Sequence, residues 1–195
     1  MKEGNGPNKV RIALIYGSTR AGRFCDTVAA WVAEQISKKP EFEISIVDPA
    51  AASMKTASNG ENIDTRSLRQ RIGDADAFVV VTPEYNHGYP AGLKSLIDSV
   101  GEEWQAKPVA FVSYGGISGG LRAVEQLRQV FAELHAVTVR DSVSFASAWE
   151  LFDEQGKLKN PERAQRQMET MLRRLKWWAN TLREGRNAVP YSPAA

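Results

Sequence analysis

Residues 77–98, AFVVVTPEYNHGYPAGLKSLID, decide the fold. Ala77 to Thr82 is a continuous β-branched and aromatic run, the pattern of a strand buried on both faces. Pro83 lacks a donor N–H and stops the ladder. Glu84 to Tyr89 are polar, aromatic and glycine residues. Pro90 then leads into a helix whose apolar stripe is Leu93, Leu96, Ile97 and Val100. In open parallel sheets, ligands sit beyond the carboxyl ends of the strands, near the point where strand order reverses. The loop carrying Pro83, Glu84, Tyr85, Asn86 and His87 is therefore either a site or a plain polar turn between strand and helix. The rest of the chain has to decide.

On the N-terminal side, Val10 to Tyr16 reads as a first buried strand, and a helix is expected from about Asp26 to Lys38. Its stripe is Val28, Ala29, Val32 and Ile36, with Trp31 off the stripe and expected to be partly exposed or at a contact. Phe42 to Val47 alternates and reads as a strand near the sheet edge. Residues 48–65 form a long connection rich in Ala, Ser, Asn and Gly, followed by a short helix over 65–72. On the C-terminal side, Lys107 to Ser113 is a fourth strand, and the turn 114–120 (YGGISGG) leads into a helix with stripe Leu121, Val124, Leu127, Phe131 and Leu134. Ala136 to Val139 is a fifth strand and 141–156 a connection. The last helix spans 161–184, with Trp177 beside its apolar stripe. Segments 1–9 and 187–195 read as flexible tails around one domain, residues 10–186.

Five strands alternating with helices predict an α/β, three-layer, doubly wound fold with a five-stranded parallel sheet in the order 2-1-3-4-5. The first and third strands then lie side by side at the switch point. Their loops, 18–25 and 83–87, meet there, and the 114–120 loop closes the third side.

The turn after the first strand has the makings of a phosphate site. A helix N-terminus offers unpaired backbone N–H groups and positive potential. Ser18 and Thr19 add hydroxyl donors, and Arg20 and Arg23 add charged ones. The spacing is neither that of a P-loop nor GxGxxG, so it argues against an ATPase and a dinucleotide fingerprint. A terminal monophosphate suits it.

Three motifs carry a resemblance. PEYNHGYPAGLKSLID resembles a PEYN…P…LK…ID signature, Gly17-Ser18-Thr19-Arg20 a GSxR signature, and residues 115–120 a glycine-rich turn after the fourth strand. Together, in this order and at these element boundaries, they resemble the NADPH-dependent FMN reductase family of flavodoxin-like proteins over residues 10–145. The resemblance implies FMN, with NADPH or NADH as reductant. It places Ser18, Thr19, Arg20, Arg23, Phe24 and Cys25 around the phosphate, and Pro83, Glu84, Tyr85, Asn86 and His87 on the ring. Ser113, Tyr114, Gly115 and Gly116 would border its pyrimidine edge. It also implies a ping-pong transfer of two electrons to a small acceptor: a free flavin, quinone, azo compound, nitroaromatic or metal oxyanion. Hydride transfer at FMN requires no general acid or base, so no catalytic side chain is expected. Glu84 and Tyr85 read as an acid/base pair or as ring-positioning groups. A homodimer or tetramer is implied, with Lys94, Ser95 and Asp98 facing the mate.

The chain departs from the family pattern at two places. Ser and Asn are usual where Arg23 and Cys25 stand, and the family's LPxxD-like segment is absent from 48–65. Arg23 is a stronger phosphate ligand or an outward-pointing residue; Cys25 is a thiol of lowered pKa at a helix start or a small residue filling a tight turn. These departures keep three other readings in play: a flavodoxin-type electron carrier, a flavin- or redox-sensing interaction protein, and a fold that has lost FMN.

Composition is ordinary for a soluble globular protein. The 195 residues are 43% hydrophobic and 25% charged, with a formal charge of +2 and a single cysteine. No disulfide framework, multi-cysteine metal site or metal ligand set is expected. No apolar run approaches a membrane span, and the N-terminal MKEGNGPNK lacks the apolar centre of a secretory signal, which points to a cytoplasmic protein. Nine Lys or Arg against three Glu between Lys157 and Arg186 read as a solvated helix face rather than a nucleic-acid surface, so neither nucleic acid nor membrane is an expected partner.

Overall fold

The computed structural model describes residues 9–51 and 63–191. Its elements run β1 (Val10–Tyr16), α1 (Cys25–Ser37), β2 (Phe42–Val47), α2 (Ile63–Asp74), β3 (Ala77–Pro83), α3 (Ala91–Asp98), β4 (Pro108–Gly115), α4 (Leu121–Glu133), β5 (Val137–Ala146), α5 (Ala148–Leu151) and α6 (Glu162–Ala188). The five strands form one sheet in the order β2-β1-β3-β4-β5, and every neighbouring pair is parallel. This is the doubly wound α/β fold expected from the sequence. Most of the 48–65 connection lies outside the described residues.

Both faces of the sheet are covered, which explains the unbroken apolar reading of β3. Ala77, Val79 and Val81 join a core with α1 and α6, while Phe78 and Val80 join a second core with α2, α3 and α4. In the second, Trp104 is fully buried and meets Phe78 and Phe131 edge-on at 4.7 and 5.4 Å. Its indole N–H donates to the Ile97 carbonyl at 3.2 Å, so the polar end of the ring is satisfied inside the core.

Several boundaries differ from expectation. Pro83 does not stop the strand: it is the last residue of β3, opposite Tyr114. β5 is much longer than residues 136–139, because Val143 and Phe145 continue the core beneath α6. Between Val109 and Phe111 the β4–β5 register shifts, and Arg140 and Asp141 occupy that irregularity, which breaks the alternation a reader looks for. Trp31 is buried and meets Phe145 edge-on at 5.3 Å, since α1 packs against α6 as well as the sheet. α6 continues to Ala188, beyond residue 184, and Tyr191 after it hydrogen-bonds the His135 ring at 2.6 Å.

The two outer strands carry arginines on their main chain. Arg128 donates to the carbonyls of Val139 and Arg140 in β5 at 2.9 and 3.1 Å. Arg71 donates to Ile46 in β2 at 2.9 Å. Among the described residues, no helix is long and apolar enough to cross a membrane.

Candidate functional site

The order 2-1-3 puts the β1–α1 and β3–α3 loops side by side, and the chain between them is tight. The Gly17 N–H donates to the Val81 carbonyl at 2.7 Å. Ser18 next to it is buried, and its hydroxyl shares a 2.7 Å hydrogen bond with the Tyr85 hydroxyl. The Arg20 guanidinium lies 3.6 Å from the centre of the Tyr85 ring, a stacked cation–π contact. Thr19 packs on the first turn of α3, where a Cβ added to Gly92 would lie 2.5 Å from its methyl.

The same loop leaves its amides uncommitted. Among the described residues, the backbone N–H groups of Thr19 and of residues 21–25 meet no backbone acceptor, and Phe24 at the N-cap of α1 supplies no side-chain acceptor. Orphan N–H groups at the positive end of a helix favour an anion. Thr19 and Arg20 are exposed beside them.

Arg23 behaves differently from Arg20. Its Nη1 donates to the Ser18 carbonyl at 2.5 Å and to Asp48 Oδ1 at 2.7 Å, and its Nη2 to Asp48 Oδ2 at 2.6 Å. Its Nε donates to Asp26 at 2.8 Å, and its side chain is only 9% exposed. Arg23 keeps Asp48 below the usual carboxylate range, against the opposing effect of burial. Cys25 is buried, with its thiol directed at the Val81 carbonyl at 3.7 Å. Burial pushes that thiol up, outweighing the hydrogen bonds from the loop. The lowered pKa considered from its position at the helix start is therefore overturned: desolvation wins over the dipole.

The PEYN loop is a miniature hairpin. Tyr85 and Gly88 exchange both backbone hydrogen bonds, at 2.9 and 3.0 Å, around Asn86 (φ 49°) and His87 (φ 69°). Two left-handed residues in a two-residue loop make a type I′ turn, for which Asn-Gly is the preferred pair. Replacing His87 by Gly is expected to relieve the unfavourable φ and raise stability by about 0.5–1 kcal/mol, read from urea unfolding midpoints.

Glu84 ties this hairpin to the third loop. Its carboxylate, 7% exposed, accepts from Arg122 Nη1 at 2.6 Å. It also accepts from the Ser118 hydroxyl at 2.8 Å and the Arg122 N–H at 3.1 Å. Burial would raise this carboxyl, but the three donors outweigh it and hold it below its ordinary value. The third loop turns through Gly119 (φ 60°) and Gly120 (φ 85°). The hydroxyls of Ser113 and Ser144 both donate to the Gly119 carbonyl, at 2.8 and 2.9 Å. Tyr114 is buried against Phe24, ring centres 5.9 Å apart, and burial raises its phenol so that it stays neutral.

The structure thus brings the loops carrying Thr19, Arg20, Tyr85, Asn86, His87, Gly115 and Gly116 together at the ends of β1, β3 and β4, with Ser18 and Pro83 buried beneath them. The side chains of Cys25, Ser113 and Tyr114 point into the protein, and that of Arg23 into its carboxylate partners. Sequence reasoning missed Asp48, Ser118, Arg122 and Gln126, whose Nε2 donates to the His87 carbonyl at 2.9 Å. Asp48 was within reach: it directly follows β2, which the order 2-1-3-4-5 sets beside the β1 loop. Among the described residues, no cluster of His, Cys, Asp and Glu could hold a metal ion.

The chain is similar to several known proteins. A protein of Schizosaccharomyces pombe named an NAD(P)H-dependent FMN reductase is 39% identical over 130 residues, covering 62% of this chain and 64% of its own length. The chain therefore spans under two thirds of that relative. An NAD(P)H-dependent FMN reductase of Saccharomyces cerevisiae is 35% identical over 140 residues, covering 62% and 73%. A quinone reductase of Escherichia coli is 32% identical over 139 residues, covering 67% and 74%. Among solved structures, the flavoenzyme FerB, an NAD(P)H:(acceptor) oxidoreductase of Paracoccus denitrificans, superposes with a TM-score of 0.69 at 20% identity, covering 88% of this chain and 98% of FerB. That likeness shows the fold. Residues 10–150 match the model of the NADPH-dependent FMN reductase family, and the chain belongs to that family.

Proposed function

We propose that the protein is an FMN-dependent NAD(P)H oxidoreductase that passes two electrons, in a ping-pong cycle, to a small acceptor such as a free flavin, quinone, azo compound or metal oxyanion. The observation that carries this reading is the row of amides at Thr19 and residues 21–25 that meet no backbone acceptor among the described residues, in a loop tied to the PEYN hairpin through Ser18, Arg20 and Tyr85. The residues fit FMN in kind: amides and Arg20 for a phosphate, and a flat backbone surface at Gly115 and Gly116 for a planar ring. FMN, when bound, supplies the hydride-accepting centre.

The chain supplies binding and orientation. Ser18 and Tyr85 hold the phosphate loop to the hairpin, and Glu84 holds the hairpin to the glycine turn. With Glu84 fully engaged by Ser118 and Arg122, ring positioning is favoured over acid/base work. The buried, unpaired Cys25 suits a reducing compartment such as the cytoplasm, and it offers no accessible thiol for redox sensing. The exposed Lys94–Asp98 pair on α3 is the surface proposed for a homodimer.

Anaerobic titration tests the reading. The purified protein, supplied with FMN, is expected to show a bound-flavin spectrum that bleaches on adding NADPH or NADH and returns on adding a quinone. Bound flavin that does not bleach would favour an electron carrier. Absence of flavin binding would overturn the proposal.

A further inference from the structure

We propose that Arg23 is a positioning residue rather than a phosphate ligand, and that Asp48 is required for phosphate recognition although it carries a negative charge. The inference rests on the FMN reading above and adds the device that shapes its phosphate loop. Arg23 bridges three parts of the chain: the Ser18 carbonyl at the start of the loop, Asp26 in the first turn of α1, and Asp48 at the end of β2. The loop between Ser18 and Asp26 is thereby closed at both ends around one guanidinium. The amides of residues 21–25 lie on the segment so closed.

The donor count leaves Arg23 little for a ligand: four of its five guanidinium N–H groups have acceptors, and a single Nη2 N–H remains. Nε, Nη1 and Nη2 all have acceptors, with two parallel bonds to Asp48, the strong fork geometry of a guanidinium and a carboxylate. The side chain lies beneath the loop with 9% of its surface exposed, and the guanidinium carbon is 5.3 Å from the centre of the Tyr16 ring. Two carboxylates against one guanidinium give the cluster a net negative charge. A phosphate placed over the loop is therefore repelled by the cluster as a whole and attracted by the amides the cluster orients and by exposed Arg20. A lysine could not replace Arg23, since one ammonium cannot span the fork and Asp26 together.

This makes a prediction whose sign separates the two roles. If charge alone mattered, Asp48→Asn would tighten phosphate binding by removing an anion. If positioning matters, it weakens it. The measurement is the dissociation constant of the apoprotein for FMN and for riboflavin, which lacks the phosphate, by flavin fluorescence quenching. For Asp48→Asn, Arg23→Gln and Arg23→Lys, the preference for FMN over riboflavin is expected to fall about tenfold or more. Riboflavin affinity should change little. The Arg23→Gln/Asp48→Asn double variant should lose no more than either single one, because both break the same bridge. Arg23→Lys keeps the charge and stem, so it remains informative should Arg23→Gln fold poorly.

An unchanged or strengthened FMN preference in Asp48→Asn, with a loss in Arg23→Gln, would overturn the proposal and make Arg23 a direct ligand. Equal losses for both flavins would also overturn it, since they would report general damage to the site. Failure of the unaltered protein to bind either flavin would instead remove the functional reading on which the proposal stands.

Discussion

A Gly17→Ala variant is expected to lose about 3 kcal/mol of stability, and with it the geometry of the proposed cofactor site. The reason is space. Gly17 needs no unusual φ, but a Cβ there would lie 2.6 Å from the Val81 carbonyl oxygen and 2.9 Å from the Thr82 Cα. Both are backbone atoms of β3, so no side chain can swing aside. Relief requires β1 and β3 to part where Tyr16 pairs with Val81, which also lengthens the 2.7 Å bond from Gly17 N–H to Val81. The strands run between two cores whose facing side chains are fully buried, so the displacement spreads into packed interior. Overpacking of this kind costs about 1–3 kcal/mol, and a spoiled buried hydrogen bond about 1 more. Against a total of about 5–15 kcal/mol, that is a large fraction. Urea unfolding at neutral pH should show a lower midpoint at unchanged slope; a shift below about 0.5 kcal/mol would show that the sheet yields more easily than its packing implies.

Glu84→Ala should cost about 2–4 kcal/mol, because it strands the Ser118 hydroxyl and the Arg122 donors around an emptied, nearly buried position. Arg122 is 45% exposed, so water takes over part of its loss and the upper end of that range is a ceiling. Glu84→Gln keeps the shape and removes the charge, and it isolates the pH dependence. The folded-state pKa of Glu84 lies below its ordinary 4.5. Its contribution is therefore complete above that value and is lost as pH falls towards and through the lower folded-state pKa. Wild-type stability should decline with acidification across this window, and the Glu84→Gln variant should decline less steeply. Parallel pH profiles for the two proteins would show that Glu84 is not the group responsible.

The legible parts of the fold are those where one physical cause dominates. β3 is covered on both faces, so its burial writes an uninterrupted run into residues 77–82. β5 hides itself because Arg140 and Asp141 interrupt the run at the register shift, and the buried Val143 and Phe145 resume beyond it among serines. Of the two expectations for Trp31, partial exposure fails and a contact holds, since a single stripe assumes a single neighbour, whereas α1 has both the sheet and α6 against it. At the site, the sequence showed which loops meet, because topology follows from element order. It did not show which side chains face a ligand. Arg20 and Arg23 are equivalent on paper; Ser18, Asp26 and Asp48, the last 25 positions away from Arg23, separate the exposed cation from the engaged one. Cys25 and Ser113 have polar atoms that fit a binding role equally well, until their directions are known.

The arginines on the outer strands bear on behaviour in a crowded solution. Two lateral borders of a five-stranded sheet are templates for a foreign strand, and recruitment there starts fibrillar association. Arg128 occupies two carbonyls of β5 and Arg71 one of β2. At the β2 border a newcomer would have to evict a charged donor before its own ladder could form, whereas Arg128 satisfies carbonyls at the β4–β5 register shift. The β2 border thus limits lateral growth by an ionic plug, at a side of the sheet away from the loops at the strands' carboxyl ends.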